Sequence, residues 1–215
     1  MFVFRKKMCV LKESISIEQL QRLTRILFID DTDQSDLTTY LKSEGWDAEC
    51  ILDIEQITAK NIQRANLIFV DVMGIGSKLK LRDGLDVIKL LKETYPSKKI
   101  VMYSTNERQD YSHPGFELAD KKIVKRGSYD TFITTIMDMS KKMFTWEEAI
   151  NASYDRIKPY LQYEMTQDQY TKIIISSIRK NSLDKDKVTK ALKVGYDIFQ
   201  IAYPLLENVL KKGQL

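Results

Sequence analysis

The stretch that decides the fold is RILFIDD, Arg25–Asp31, with its counterpart NLIFVD, Asn66–Asp71. Each is a short apolar run that stops at carboxylates. Uninterrupted runs of this length, bounded by polar turns, read as strands buried on both faces, the pattern of a parallel sheet covered by helices. Outward from them the chain alternates: SDLTTYLKSEG, AECILD and IEQITAKNIQRA lie between the two runs, and DGLDVIKLLKETYP, KKIVMYS, FELAD, KKIVK and SYDTFITTIMDMSKKMF follow. Strand runs alternating with helix-period segments predict an α/β fold, a doubly wound parallel sheet of five strands.

The 215 residues allow one domain with a sizeable appendage, or two small ones. With 43% hydrophobic and 30% charged residues the chain has enough apolar content for a core. The 34 basic residues against 30 acidic ones leave a net charge of +4, too small to argue for nucleic-acid binding. Two cysteines, Cys9 and Cys50, and one histidine, His113, exclude a Cys/His zinc site and disfavour histidine-dependent hydrolases. His113 stands before Pro114 and Gly115 and reads as a loop histidine. No apolar stretch reaches the ~18 residues of a membrane span, and MFVFRKKMCV is charged too early for a signal peptide. The expected setting is cytoplasmic, with reduced thiols and no membrane association.

Three regions are expected. Residues 1–24 read as a basic leader (Arg5, Lys6, Lys7, Lys12) with a short helix capped by Ser16. Residues 25–143 hold the alternating unit. Residues 144–215 carry helical spacing throughout and read as a small all-α domain, with N-caps at Thr145, Thr166 and Ser182. Pro204 is expected to kink or interrupt the last helix, because its ring removes a hydrogen bond one turn back.

In an open parallel sheet, ligands bind beyond the carboxyl ends of the strands. The strand ends here are Asp30-Asp31, Asp71, Ser104-Thr105 and Lys125. Three carboxylates with room for water suit Mg²⁺, a hard cation that prefers oxygen donors. A hydroxyl and an ammonium beside them suit phosphoryl oxygens. Residue by residue, each has a plain structural reading as well: Asp30 and Asp31 as loop and cap residues, Asp71 as a turn residue, Ser104 as a strand-end hydroxyl, Lys125 as a surface charge.

Taken in order, ILFIDD, LIFVD, Asp83-Gly84, IVMYS and ADKKIVK make residues 25–142 resemble the receiver domain of bacterial response regulators. That resemblance implies a flavodoxin-like sheet in the strand order 2-1-3-4-5. It implies that Asp71 accepts a phosphoryl group from a histidine kinase, a phosphotransfer protein or a small phosphodonor. It further implies that Asp31, Asp71 and the backbone carbonyl of Met73 ligate Mg²⁺, that Asp30 acts through water, and that Ser104 and Lys125 hold the phosphoryl oxygens.

The sequence departs from that pattern on the surface that reads out phosphorylation. The loop VMGIGSKLKLR after Asp71 is longer and lacks the usual proline; Gly74 and Gly76 loosen it, and Lys78, Lys80 and Arg82 put positive charge beside the acidic strand ends. Lys121 and Lys122 stand near the place of the usual aromatic switch, Arg126 replaces the proline after the lysine, and Ser112–Gly115 should shorten the fourth helix of the domain. The expected function is a phosphoaccepting switch, not an enzyme acting on other substrates, that signals to a downstream protein through its helical tail. A phosphorylation-independent pseudo-receiver, serving interaction or dimerisation, is the alternative. A haloacid-dehalogenase-like phosphatase would use Asp31 and Asp33, but finds only Asp130 for its later acidic pair and leaves Asp71 without a role. DNA binding is disfavoured: the tail shows no helix-turn-helix, and Lys185, Lys187, Lys190 and Lys193 alternate with Asp184 and Asp186 as on a solvated face. A homodimer through the fourth-strand face or the tail helices is compatible with the sequence, with no sustained heptad to specify it.

Overall fold

The computed structural model describes residues 15–105, 112–125, 128–161, 163–179 and 182–212. The basic leader residues and Arg126 lie outside this range. The chain divides into two compact units, one Ser16–Ser140 and the other containing Lys141–Leu215.

In the first unit the elements are α1 (Ile17–Leu23), β1 (Arg25–Ile29), α2 (Ser35–Ser43), β2 (Asp47–Ile51), α3 (Lys60–Arg64), β3 (Leu67–Asp71), α4 (Gly84–Thr94), β4 (Lys99–Ser104), α5 (Pro114–Leu118), β5 (Lys121–Val124) and α6, which starts at Tyr129. The five strands are parallel and ordered β2-β1-β3-β4-β5, as the sequence pattern and the resemblance led us to expect. Strand alternation sorts the core. Leu27, Ile29, Ile68, Val70, Ile100 and Met102 face α3 and α4, whose Ile62, Leu85, Ile88 and Leu91 close that side. Phe28, Phe69 and Tyr103 face the other way, onto Phe132 of α6.

Ser16 caps α1 through a reciprocal capping box with Gln19, and Leu20 of that helix is fully buried. Asn66 links α1 to the sheet: its side chain donates to the Leu23 carbonyl and accepts from the Arg25 N–H. The IEQITAKNIQRA segment forms only the short α3. The β-branched Ile57 and Thr58 disfavour an earlier start, and their carbonyls are occupied by the Tyr95 hydroxyl and the Gln63 side chain. His113 is more than a loop residue, since its Nδ1 accepts from Gly115 N–H at the start of the five-residue α5.

The second unit is built from the end of α6 (Tyr129–Phe144), α7 (Trp146–Ile157), α8 (Gln167–Ser177), α9 (Lys185–Leu192) and α10 (Tyr196–Lys212), around Ile150, Tyr170, Ile174, Val188, Phe199 and Leu206. Thr145 stands at the N-cap of α7 and Thr166 caps α8 with a capping box. Ser182 does not cap α9: it lies in a two-residue strand (Ser182–Leu183) paired antiparallel with Ile178–Arg179, and Asp184 takes the cap by accepting from Lys187 N–H. The β-branched run Ile173–Ile175 stays within α8, which ends at Ser177. The last helix runs through Pro204 without interruption.

Candidate functional site

Strand β1 delivers Asp30 and Asp31 to the carboxyl edge of the sheet, and β3, its neighbour, delivers Asp71. Oxygens of all three carboxylates lie within 4.8 Å of one another. Asp30 and Asp71 are buried, while Asp31 is exposed. Lys125, just past β5, crosses to them: Nζ lies 2.8 Å from Asp30 Oδ1 and 2.6 Å from Asp71 Oδ2. Its backbone N–H donates to the Ser104 carbonyl at 2.9 Å, which ties the end of β5 to the end of β4. Ser104 itself is buried. Met73 follows two residues after Asp71, with its N–H 3.4 Å from Asp71 Oδ1 and its side chain exposed.

Charge balance defines what the site can hold. Burial pushes the Asp71 carboxyl above its ordinary range, the bond to Lys125 draws it back, and the neighbouring Asp30 charge adds to the rise. Burial alone would depress Lys125, but its bonds to Asp30 and Asp71 outweigh that and raise it. One ammonium is shared by two carboxylates, so neither is fully compensated, and Asp31 adds a third negative group. An all-oxygen, net-negative set with one solvent-facing member fits a divalent hard cation.

Backbone shape protects this arrangement. Gly84 N–H donates to the Val72 carbonyl at 2.9 Å, and a β-carbon at Gly84 would collide with the Asp71 carbonyl. That is why Asp83-Gly84 occurs as a pair: Gly84 permits the close approach and Asp83 caps α4, accepting from Leu85 and Asp86 N–H. The long loop after Asp71 includes a 3₁₀ turn at Ser77–Leu79. Asp53, just beyond β2, pins that turn by accepting from Gly76 N–H (2.6 Å), Ser77 Oγ (3.0 Å) and Lys78 N–H (3.1 Å). Burial would raise the Asp53 carboxyl, but the amides of Gly76, Lys78 and Ile54 and the Ser77 hydroxyl hold it below its ordinary range. Of the loop charges Lys78, Lys80 and Arg82, Lys78 pairs with Glu55 at 2.7 Å and Arg82 with Asp83 at 3.3 Å.

Two members of the site escaped the sequence reading. Tyr103, the residue before Ser104, donates its hydroxyl to Asp30 Oδ2 at 2.5 Å. Gln34 donates Nε2 to the same oxygen at 2.9 Å. In place of the usual aromatic switch, Lys122 lays its ammonium 4.3 Å from the centre of the Phe116 ring.

No family model matches the chain. The sheet order 2-1-3-4-5 nevertheless defines the class of fold, the CheY-like doubly wound sheet, and the chain's similarities run to receiver domains of response regulators. One curated protein to which it is similar is the nitrogen assimilation regulatory protein NtrX of Azorhizobium caulinodans, 34% identical over 128 residues, which are 58% of this chain and 26% of that protein. The chain thus spans about a quarter of the length of the curated relative it matches. Among solved structures, the response regulator TrrA of Thermotoga maritima in complex with Mg²⁺-BeF aligns at 22% identity, over 54% of this chain and 98% of that one, with a TM-score of 0.46. The receiver domain of NtrX from Brucella abortus aligns at 22% identity over the same shares, with a TM-score of 0.44. No helix among the described residues is long and apolar enough to cross a membrane.

Proposed function

We propose that this receiver is a working phosphoacceptor in which Asp71 takes a phosphoryl group from a histidine kinase, a phosphotransfer protein or a small acyl phosphate. The observation that carries this reading is Lys125 Nζ between two buried strand-end carboxylates, 2.6 Å from Asp71 and 2.8 Å from Asp30, with Asp31 alongside. In the reaction an Asp71 carboxylate oxygen forms the new bond to phosphorus while the bond from phosphorus to the donor breaks, its electron pair leaving with the donor imidazole or carboxylate. Lys125 then exchanges its contact with Asp71 for the incoming phosphoryl oxygens, held close by its anchor on Asp30. The Ser104 hydroxyl supplies a further donor to those oxygens. Asp31, Asp71 and the Met73 carbonyl would hold Mg²⁺, which when bound would offset the negative charge that collects on the transferring group.

The exposure of Asp31 supports this reading over an occluded pseudo-receiver. Asp33, which a dehalogenase-like phosphatase would need as its second carboxylate, is occupied in accepting from Ser35 N–H at the start of α2. Output through protein contacts of the helical unit, to a downstream partner or a second copy, is favoured over DNA binding. Lys187 donates to the Ser176 carbonyl, and Lys185 and Lys193 lie over Tyr203 and Tyr163, so the basic run is largely committed within the fold. The setting that goes with this reading is the cytoplasm, with the protein acting as a signalling component.

The test is incubation of the full chain with acetyl phosphate and Mg²⁺ followed by intact-mass measurement. One added phosphoryl group, absent without the metal and absent from Asp71→Asn, is the expected result. Failure to gain it from acetyl phosphate or from a phosphorylated phosphotransfer protein removes the reading.

A further inference from the structure

Asp30 presents a carboxylate whose acceptor positions are taken. Oδ1 accepts from Thr32 N–H at 2.9 Å and from Lys125 Nζ at 2.8 Å. Oδ2 accepts from Gln34 Nε2 at 2.9 Å and from the Tyr103 hydroxyl at 2.5 Å. An ionised carboxylate offers about four such positions, so the protein fills them all. A water carried by a metal ion is a further donor and would have to displace one of these four.

Tyr103 is the least replaceable of them. It is fully buried, and its ring stands edge-on to Phe28 (6.0 Å), Phe69 (6.1 Å) and Phe132 (6.1 Å) between centroids. Packed on three sides by aromatic rings, the side chain cannot swing to solvent, and its hydroxyl would be left buried and unpaired if Asp30 turned away. The ring also lies 5.6 Å from Lys125 Nζ, so one side chain touches both partners of the Asp30–Lys125 pair.

We propose that Tyr103 is a positioning residue that locks Asp30 as the anchor of Lys125 and withholds it from the metal, leaving Mg²⁺ to Asp31, Asp71 and the Met73 carbonyl. This rests on the phosphoacceptor reading above and departs from the water-mediated role that the family resemblance implied for Asp30. Metal affinity is thereby set lower than three available carboxylates would give, and Lys125 stays fixed whether or not the ion is present.

Tyr103→Phe deletes one oxygen and keeps the ring. It opens one acceptor position on Asp30, and Mg²⁺ alone, titrated calorimetrically into the full chain, is expected to bind about tenfold more tightly than to the wild type, the scale of one charge-assisted hydrogen bond. Gln34→Ala vacates the same oxygen from outside the aromatic cluster and is expected to shift affinity in the same direction. If thermal denaturation shows that Tyr103→Phe has not folded, the Gln34 variant decides. Tighter binding supports the clamp. Unchanged or weaker binding overturns it and leaves the phosphoacceptor reading standing. Absence of Mg²⁺ binding from wild type and variants alike overturns both.

Discussion

Removing Asp53 tests whether one carboxylate holds the long loop that follows Asp71. Asp53→Ala deletes the acceptor for Gly76 N–H at 2.6 Å, Ser77 Oγ at 3.0 Å and Lys78 N–H at 3.1 Å. A hydrogen bond to a charged group contributes about 1.5–3 kcal/mol net where water is excluded. The Ser77 and Lys78 bonds are exposed and water replaces much of them, so the part-buried Gly76 bond carries most of the effect, about 2 kcal/mol in all. Because the loop opens locally, the loss should appear there and not in the sheet. Native-state hydrogen exchange of the Gly76 and Lys78 amides should quicken about thirtyfold, at roughly 1.4 kcal/mol per factor of ten, with Ile68 in β3 unchanged. The pH dependence has a defined sign. Asp53 is held below its ordinary range, so its folded value lies under the unfolded ~3.9, and the stabilisation is complete above about pH 4 and fades as pH falls through the folded value. Loop protection, corrected for intrinsic exchange, should therefore hold from neutral pH to about 4 and drop below it in the wild type, while Asp53→Ala shows no such drop. Equal protection of Gly76 in variant and wild type would refute the latch.

Two further outcomes follow from buried groups. Lys98 is buried, donates to the carbonyls of Gln63 and Ala65, and has its pKa pulled down to about 8 by desolvation. The unfolded chain then holds more protons than the folded one between pH 8 and about 10.4, so stability rises with pH across that window, by at most about 3 kcal/mol given the two carbonyls that favour the charged form. Urea midpoints at the two ends of the window should differ less in Lys98→Met than in wild type; identical pH profiles would disprove the assignment. In the helical unit, Phe199→Ala removes a fully buried ring and should cost about 3–5 kcal/mol. Amide protection in α7 and α10 should fall while that of β1 and β3 holds; parallel losses in both would show that the two units unfold as one.

How far the sequence could be read depends on the range of each interaction. The strands, the Ser16 and Thr166 N-caps and the Asp83-Gly84 pair rest on neighbours within a turn or a strand, and all were legible. The three carboxylates and Lys125 could be gathered because strand ends of a parallel sheet share one edge. Asp53 and Tyr103 could not, since each bonds a partner distant in sequence, 23 residues for Asp53 to Gly76 and 73 for Tyr103 to Asp30. KIVMYS reads as a buried strand in which an aromatic packs and nothing local shows where its hydroxyl goes. The partner of Lys78 was hidden for the same reason, since Glu55 lies 23 residues back along the chain. Topology would have supplied the missing step for Tyr103. In the order 2-1-3-4-5, β4 stands two strands from β1, about 10 Å at the usual sheet spacing. Asp71 and Tyr103 are register partners, so Tyr103 lies level with the acidic edge, while the other long polar side chain of β4, Lys99, lies at the opposite end, level with Leu67. A tyrosine at that position, on the face closed by Phe132, is the β4 side chain with both the length and the hydroxyl to reach across β3 to Asp30. The sheet order therefore does more than gather the strand-end carboxylates: it determines which strand can supply the hydroxyl that bonds Asp30.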